Sequence, residues 1–449
     1  MELEYVFQTL AVDGLKFGSK ATGNVFLSTI EGKPDANTRV DVEDFSFNGT
    51  HLGHLNLFRE FDDDTKKVMM EGTILNKENK KTLVDGFVDP INQKLNIGFD
   101  ADSIDISFLG LYAATLFDKV QGRGTGKVLL TGNFSKVTVE GKAYIQDGQI
   151  GINFLNTNYT FTDTVYLKKD LIYFNNVKFY DQNNNYAIGN GKVAHDYFAD
   201  FMYFVDMTAN NFMVYNATEK VNPIFFGKVF GSGNAEISGD EREVNINVRM
   251  RTENNTLVRM NFMEEEVNQY SFITYKNDIN PTDSISTTDN TKPKPIQTSS
   301  GMAINMNFYV DATPDAVVEL VMDPIGGDVI RGSGSGTMDF VWSTKTSPLL
   351  YGNFLINRGS YNFTFQKLLE RKFTILDGSN VQFTGDPFSA QLDVQAMYKL
   401  TANLNDLDKD LVRNSGQTNI PVNCLLHLTG PLKHPNVNLD LAFPSADPE

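Results

Sequence analysis

Apolar residues recur on every second position along most of this chain, and almost nowhere on a helical spacing. Met302, Ile304, Met306, Phe308 and Val310 alternate with thinner, more polar neighbours. The same rhythm returns at Leu95/Ile97/Phe99, Ile104/Ile106/Phe108 and Val244/Ile246/Val248/Met250, and again at Leu392/Val394/Ala396/Tyr398/Leu400 and Val437/Leu439/Leu441/Phe443. A strand sends successive side chains to opposite faces, so each stretch predicts a strand with one oily face. Helical spacing is confined to two short candidates, Lys367 to Lys372 and Leu404 to Val412. The fold class is therefore all-β. Many one-sided strands must bury many oily faces, and what covers them is the functional question.

Composition narrows the function. The 34 Phe and 17 Tyr against one Trp suit strands. A length of 449 residues exceeds what one compact core usually holds. The net charge of −17 disfavours binding to a phosphate backbone, so nucleic acid is not expected as a partner. It also argues against docking flat on an anionic leaflet through a basic patch. No run approaches the roughly 18 apolar residues of a membrane-spanning helix. The acidic start, Met-Glu-Leu-Glu-Tyr, does not read as a signal peptide. The acidic runs Asp62-Asp63-Asp64 and Glu264-Glu265-Glu266 read as solvated turns, because no calcium-loop pattern follows either.

Between Asn277 and Gly301 the chain is rich in Ser, Thr, Asn, Asp, Lys and Pro, too polar to offset its ordering entropy by burial. It reads as a polar, flexible insertion or linker (277–301) between an N-terminal β-repeat segment (1–276) and a C-terminal β domain (302–449). Internal repeats cross that division. A glycine box appears at Val120-Gln-Gly122-Arg-Gly124-Thr-Gly126, at Val229-Phe-Gly231-Ser-Gly233-Asn-Ala235 and at Ile330-Arg-Gly332-Ser-Gly334-Ser-Gly336. A second box, from Gly141 to Ile152, matches Gly352 to Phe363 at the same internal spacing. Repeated units of this kind imply a stacked, elongated array, and glycine inside strands marks tight bends or close backbone approach.

The motifs that could carry chemistry fall short of it. Gly126-Lys127 lacks the glycine spacing, the Ser or Thr and the following helix of a phosphate loop. The centre of Gly332-Ser-Gly-Ser-Gly336 is Gly334, not a nucleophilic serine. His51 and His54 are close enough to share a metal but have no evident third ligand, so a polar turn is the reading. His427 and His434 show no catalytic setting. Cys424, the single cysteine, sits between Val422 and Leu426 and reads as a small buried hydrophobe. No enzyme activity, cofactor or metal is expected.

The order of boxes in the C-terminal segment resembles a known family. Gly332-x-Gly-x-Gly336, Gly352-x-Phe-x-Ile-x-x-Gly359-x-Tyr-x-Phe363 and Phe373-x-Ile-x-x-Gly378-Ser are followed by Gly385-Asp-Pro387, Ala396-x-Tyr398 and Leu428-x-Gly-x-Leu-x-x-Pro435. Together they resemble the C-terminal domain of the TamB family, the translocation and assembly module subunit of the AsmA-like superfamily, in the form found in Bacteroidota. The resemblance covers 302–444 and extends upstream through Gly148 to Tyr159 and Asp181 to His195. It implies an elongated, curved repeat β-sheet folded into a trough (β-taco-like) with an apolar interior. It further implies a periplasmic location, with anchoring to the inner membrane through a segment absent from this chain, which is expected to be a piece of a longer protein. The implied partners are phospholipid and a TamA-like or BamA-like outer-membrane barrel protein. The implied roles are phospholipid transport between the membranes and support of outer-membrane protein assembly. The alternative is a structural scaffold that templates barrel proteins by strand addition without carrying lipid. The lining expected for a lipid trough is Met302, Ile304, Met306, Phe308, Leu392, Val394, Tyr398, Val437, Leu439 and Leu441.

Overall fold

The alternating runs form strands throughout. A computed structural model describes residues 17–444 apart from 19–20, 31–32, 63, 111–116, 135, 262–302, 324–326, 366–368 and 404–417. Side chains are described from residue 39 onward, other than those of 323 and 364–370. The first strands are β1 (Phe17–Gly18), β2 (Ala21–Ile30), β3 (Lys33–Phe47), β4 (Thr50–Asp62), β5 (Lys67–Leu75) and β6 (Lys81–Asp89). They continue with β7 (Lys94–Asp105), β8 (Lys119–Asn133), β9 (Lys136–Ile152), β10 (Thr157–Lys168), β11 (Leu171–Tyr180), β12 (Tyr186–Asp196) and β13 (Ala199–Ala217). Then come β14 (Phe225–Asp240), β15 (Glu243–Thr252), β16 (Leu257–Asn261), β17 (Ala303–Ala312), β18 (Val317–Asp323) and β19 (Asp328–Ser343). The last are β20 (Thr346–Phe365), β21 (Leu369–Ile375), β22 (Ser379–Gly385), β23 (Gln391–Asn403), β24 (Asn419–Pro431) and β25 (Asn436–Ala442). The all-β class holds.

The helical reading of Lys367 to Lys372 is overturned from Leu369 onward. There the chain is β21, paired with β20, and Phe373 and Ile375 bury on alternate positions. Leu404 to Val412 and the segment 277–301 lie outside the described residues. The chain divides into two compact units, 1–208 with 236–244, and 209–235 with 245–449.

In the first unit the strands from β2 to β12 pair antiparallel in chain order. Their registers break at several points, and from β7 to β12 the breaks fall at three bulges with the same chemistry. Ser103, Asp147 and Asn176 have φ of 59°, 51° and 53°, so each forms a left-handed bulge. The N–H that the bulge takes out of the ladder is met by a side chain of the next strand. Ser103 N donates to Thr125 Oγ1 at 3.0 Å, Asp147 N to Thr162 Oγ1 at 3.2 Å and Asn176 N to Asn190 Oδ1 at 2.9 Å. The second unit repeats the device where Asn211 N donates to Ser232 Oγ at 2.9 Å. Three of these four acceptors stand between two glycines: Thr125, Asn190 and Ser232. Alternation puts the acceptor on one face and both glycines on the other.

The glycines clear the way for close approach. Gly126 has φ +152°, and a Cβ there would collide with the carbonyl oxygen of Lys142 on the next strand. At Gly191 a Cβ would collide with the ring of Phe174. The sequence repeat is a structural one as well. Gly141 lies opposite Val128 and Ile145 opposite Gly124 in the β8–β9 hairpin; Gly352 lies opposite Met338 and Ile356 opposite Gly334 in the β19–β20 hairpin.

In the second unit long strands each face two short ones placed end to end. The first part of β19 pairs with β18 through Asp328–Ser333, and the second part pairs with β17 through Gly336–Ser343. The hand-over falls on the glycine box 332–336. β20 pairs with β22 through Leu350–Ile356 and with β21 through Gly359–Phe365, and again the second box spans the junction. β16 and β18, which are separated in sequence by 277–301 and β17, pair in parallel. Glu319 on β18 is buried there and ion-paired to Arg259 on β16 and Arg331 on β19.

Two stability predictions follow from these contacts. Gly126→Ala should cost about 2 kcal/mol or more, because φ and the Lys142 carbonyl both exclude a Cβ; an unchanged urea midpoint would contradict this. Glu319→Gln should cost about 2 kcal/mol, below the range for a fully buried pair because both arginines are open to solvent. Chemical denaturation of the two proteins side by side measures it.

Candidate functional site

The strand registers of the first unit connect a single row of side chains across ten consecutive strands. From β3 to β12 the cross-strand partners are Val40, Leu57, Gly72, Val84 and Phe99, then Val128, Gly141, Leu167, Ile172 and Val193. Every member is apolar or glycine. A flanking row on the same face runs Met70, Gly86, Ile97, Leu130, Val139. We call this the inner face.

The inner face is graded in depth. Val42, Phe45, Leu52, Ile74 and Val84 form a buried cluster against which Val40, Leu55, Ile97 and Phe99 pack. Farther along the strands Leu57, Phe99, Val128, Ile97, Leu130 and Val139 are half-buried, and Phe61 is exposed. Half-exposed aliphatic and aromatic side chains retain unfavourable contact with water. Covering these six completely is worth about 5 kcal/mol. The face can therefore take an apolar occupant without first unfolding its own core.

The corresponding face of the second unit is closed. Met260, Leu320, Ile330, Tyr361 and Phe373 are cross-strand neighbours over β16, β18, β19, β20 and β21, and all are buried. They share one cluster with Phe354, Val381 and Leu392 from the other run of strands. The expected trough residues divide along this line. Met302 lies outside the described residues. Ile304 and Met306 are buried on β17, and Phe308 is half-buried with its ring 6.0 Å from Phe340. Leu392 and Val394 are buried on β23, and Tyr398 is half-buried 5.8 Å from Phe373. Val437, Leu439 and Leu441 on β25 stand opposite Leu428, Leu426 and Cys424 on β24, so they continue the face of Val394 and Tyr398. Their exposure is 45%, 61% and 56%. The structure thus gathers six of the ten on one face of β23–β25, and places Ile304, Met306 and Phe308 apart from them on β17.

The inner row of the first unit was only partly marked by the alternation of Leu95, Ile97 and Phe99. Its other members sit on ordinary strands, and the signal that joins them is the register, which no local pattern carries. Gly189-Asn190-Gly191 went unmarked, although its Gly-x-Gly spacing, shared with the glycine boxes, is a local signal that could have found it.

The polar candidates have structural partners. His51 Nδ1 lies 3.1 Å from Asp44 and His54 Nε2 3.4 Å from Asp41, so the two rings engage different carboxylates. Among the described residues no group of three His, Cys, Asp or Glu could hold a metal ion. Asp62 accepts from Thr65 Oγ1 at 2.7 Å and from the N–H groups of Asp64 and Thr65; these hydrogen bonds, led by the Thr65 hydroxyl, hold its carboxyl below the usual range. Glu264-Glu265-Glu266 lies outside the described residues. Cys424 is half-buried, and His427 Nε2 lies 2.8 Å from Asp393.

With this geometry in place, the comparison with known families is decisive: the model of the TamB C-terminal domain matches residues 175–449. The chain belongs to the TamB family. No curated protein and no solved structure matches it. The family is a non-enzymatic one of the cell envelope, acts in translocation and assembly, and works with an outer-membrane partner. The match takes in the whole second unit and begins within β11, so most of the inner-face row lies upstream of it. Among the described residues no helix is long and apolar enough to cross a membrane.

His195, at the end of β12, is buried with its ring stacked on Phe198 at 4.7 Å. Phe198 N donates to Nδ1 at 3.3 Å, and Nε2 has no partner among the described residues. Burial lowers its pKa, outweighing the upward pull of Asp170 and Asp196. Its contribution to stability is present above the ordinary histidine value of about 6.5 and is lost as pH falls through the depressed folded value. His195→Phe should flatten this acid loss in thermal melts; parallel curves for the two proteins would refute it.

Proposed function

We propose that this TamB-family chain shields phospholipid acyl chains along its apolar inner face and so serves lipid transport between the inner and outer membranes. The observation that carries this reading is the row from Val40 to Val193, apolar or glycine at every strand and half-buried at most of them. Acyl chains meet such a surface through non-directional contacts, which permit sliding along it, while head groups stay in water. Ile304, Met306, Leu392 and Val394 contribute in this reading only where the second unit opens. Val437, Leu439 and Leu441 are accessible at its last described strand. The work is done in the periplasm by a protein anchored at the inner membrane, with a TamA-like or BamA-like barrel at the outer membrane.

A second reading is favoured by the sealed core of the second unit and the exposed apolar residues of β25. In it this unit is an assembly scaffold that adds strands to outer-membrane barrel proteins and carries no lipid. Native mass spectrometry separates the two. Gently purified protein should retain phospholipid, and Phe99→Asp with Val128→Asp should release it while circular dichroism stays β-rich. Protein that is lipid-free from the outset would sink the transport reading and leave the scaffold.

A further inference from the structure

The ladder between β10 and β11 is split along its middle. The two strands pair at Thr160 with Tyr180 and again from Tyr166 with Tyr173, and no residue between these points is paired across the gap. On their other edges both strands stay paired, β10 to β9 and β11 to β12. Three rings cover the gap on the inner face. Phe161 and Phe179 are 5.4 Å apart, and Phe174 lies 5.8 Å from Phe179. Gly148, Gly189 and Gly191 make room for them, since a Cβ there would strike the ring of Phe161, Phe179 or Phe174 in turn. Alternation then turns Thr160, Thr162, Lys178 and Tyr180 to the opposite face. There a cleft of about 470 Å³ opens, lined by these four and Phe161, by Asp147 and Gln149 of β9, and by Asp163 and Asn176.

We propose that this cleft binds a neutral oligosaccharide. Its volume lies within the range of small-ligand sites, about 300–1,000 Å³. Pairing resumes at both ends of the gap, so an extended peptide has no room to enter as an added strand. No group of three His, Cys, Asp or Glu among the described residues could hold a metal ion. Asp147 and Asp163 stand against Lys178, which leaves no strong excess of either charge to select an ionic ligand. What remains is a dense set of donors and acceptors that the fold leaves unused. Among the described residues the Asp147 carboxylate and the Gln149 amide have no partner. Lys178 Nζ rests over the Tyr186 ring at 4.9 Å rather than on a carboxylate. Backbone groups that face across the gap add further donors and acceptors. A hydroxyl both donates and accepts, so a polyhydroxylated ligand satisfies carboxylate, ammonium, amide and backbone groups together. Half-buried Tyr180 offers an apolar ring body with a polar tip to a sugar ring.

The test is saturation-transfer difference NMR of the whole chain with maltose, cellobiose and N,N′-diacetylchitobiose at millimolar concentration, with tetraethylene glycol as the control. At least one disaccharide should receive saturation on its ring protons, and the glycol should not. Gln149→Trp, which fills the cleft, should abolish the signal. Asp163→Asn with Lys178→Ala should weaken binding by about tenfold, as expected when charge-assisted hydrogen bonds are lost. Thermal melts check that both variants fold; should Gln149→Trp fail to, the second variant, confined to the rim, decides the matter. Silence from all three disaccharides, equal saturation of the glycol, or wild-type binding by the folded variants would each overturn the proposal. Phospholipid retained on the inner face should be the same in Asp163→Asn with Lys178→Ala as in the wild type, so the cleft can fail this test while the lipid-shielding reading stands.

Discussion

A backbone N–H expelled from a β-ladder must find an acceptor, and in this protein the next strand supplies one. The four bulges at Ser103, Asp147, Asn176 and Asn211 all depend on it. A bulge bends its strand and increases the local twist, so it is affordable only where the freed donor is satisfied and the neighbouring backbone can close in. The Gly-x-Gly triplet meets both needs at once. Its central side chain caps the bulge on one face, and its two glycines remove the Cβ atoms that would block approach on the other. Thr162 caps Asp147 without flanking glycines, and the ring of Phe161 lies against Gly148 across the same break. The register breaks from β7 to β12 fall at these points.

The inner faces of the two units are written in the same alternation but end in different states. In the second unit, long strands bring two runs of short strands into one cluster, so Ile330, Tyr361 and Phe373 are buried together with Phe354, Val381 and Leu392. In the first unit each strand pairs with its chain neighbours, and the burial of Val42 and Ile74 gives way to half-exposure at Leu57, Phe99 and Val128. Apolar burial is favourable in both. What differs is whether protein supplies the cover. The first unit thus keeps an open apolar row, and the second unit a closed apolar core with Leu439 and Leu441 exposed on its last described strand.

Much of this was legible in the residues. Alternation at Ile304/Met306 and Leu392/Val394 marked strands and one-sidedness, and burial of these four followed. The glycine boxes at 120–126 and 330–336 marked equivalent hairpins, down to Gly141 opposite Val128 and Gly352 opposite Met338. Other features were not legible for identifiable reasons. Lys367 to Lys372 carried a helical spacing too short to outweigh pairing with β20. Val437, Leu439 and Leu441 carried the same pattern as buried strands, yet they lie on β25, beyond the reach of the cluster that seals β23 and β24.

The sequence by itself determined the strands, the sidedness of each, and the positions where the backbone must come close, because these depend on local stereochemistry: side-chain alternation and the presence or absence of a Cβ. Tertiary structure decided which oily faces are sealed and which stay open. Those outcomes depend on cross-strand register and on what packs opposite, and a strand carries the same alternation whether or not anything comes to cover it.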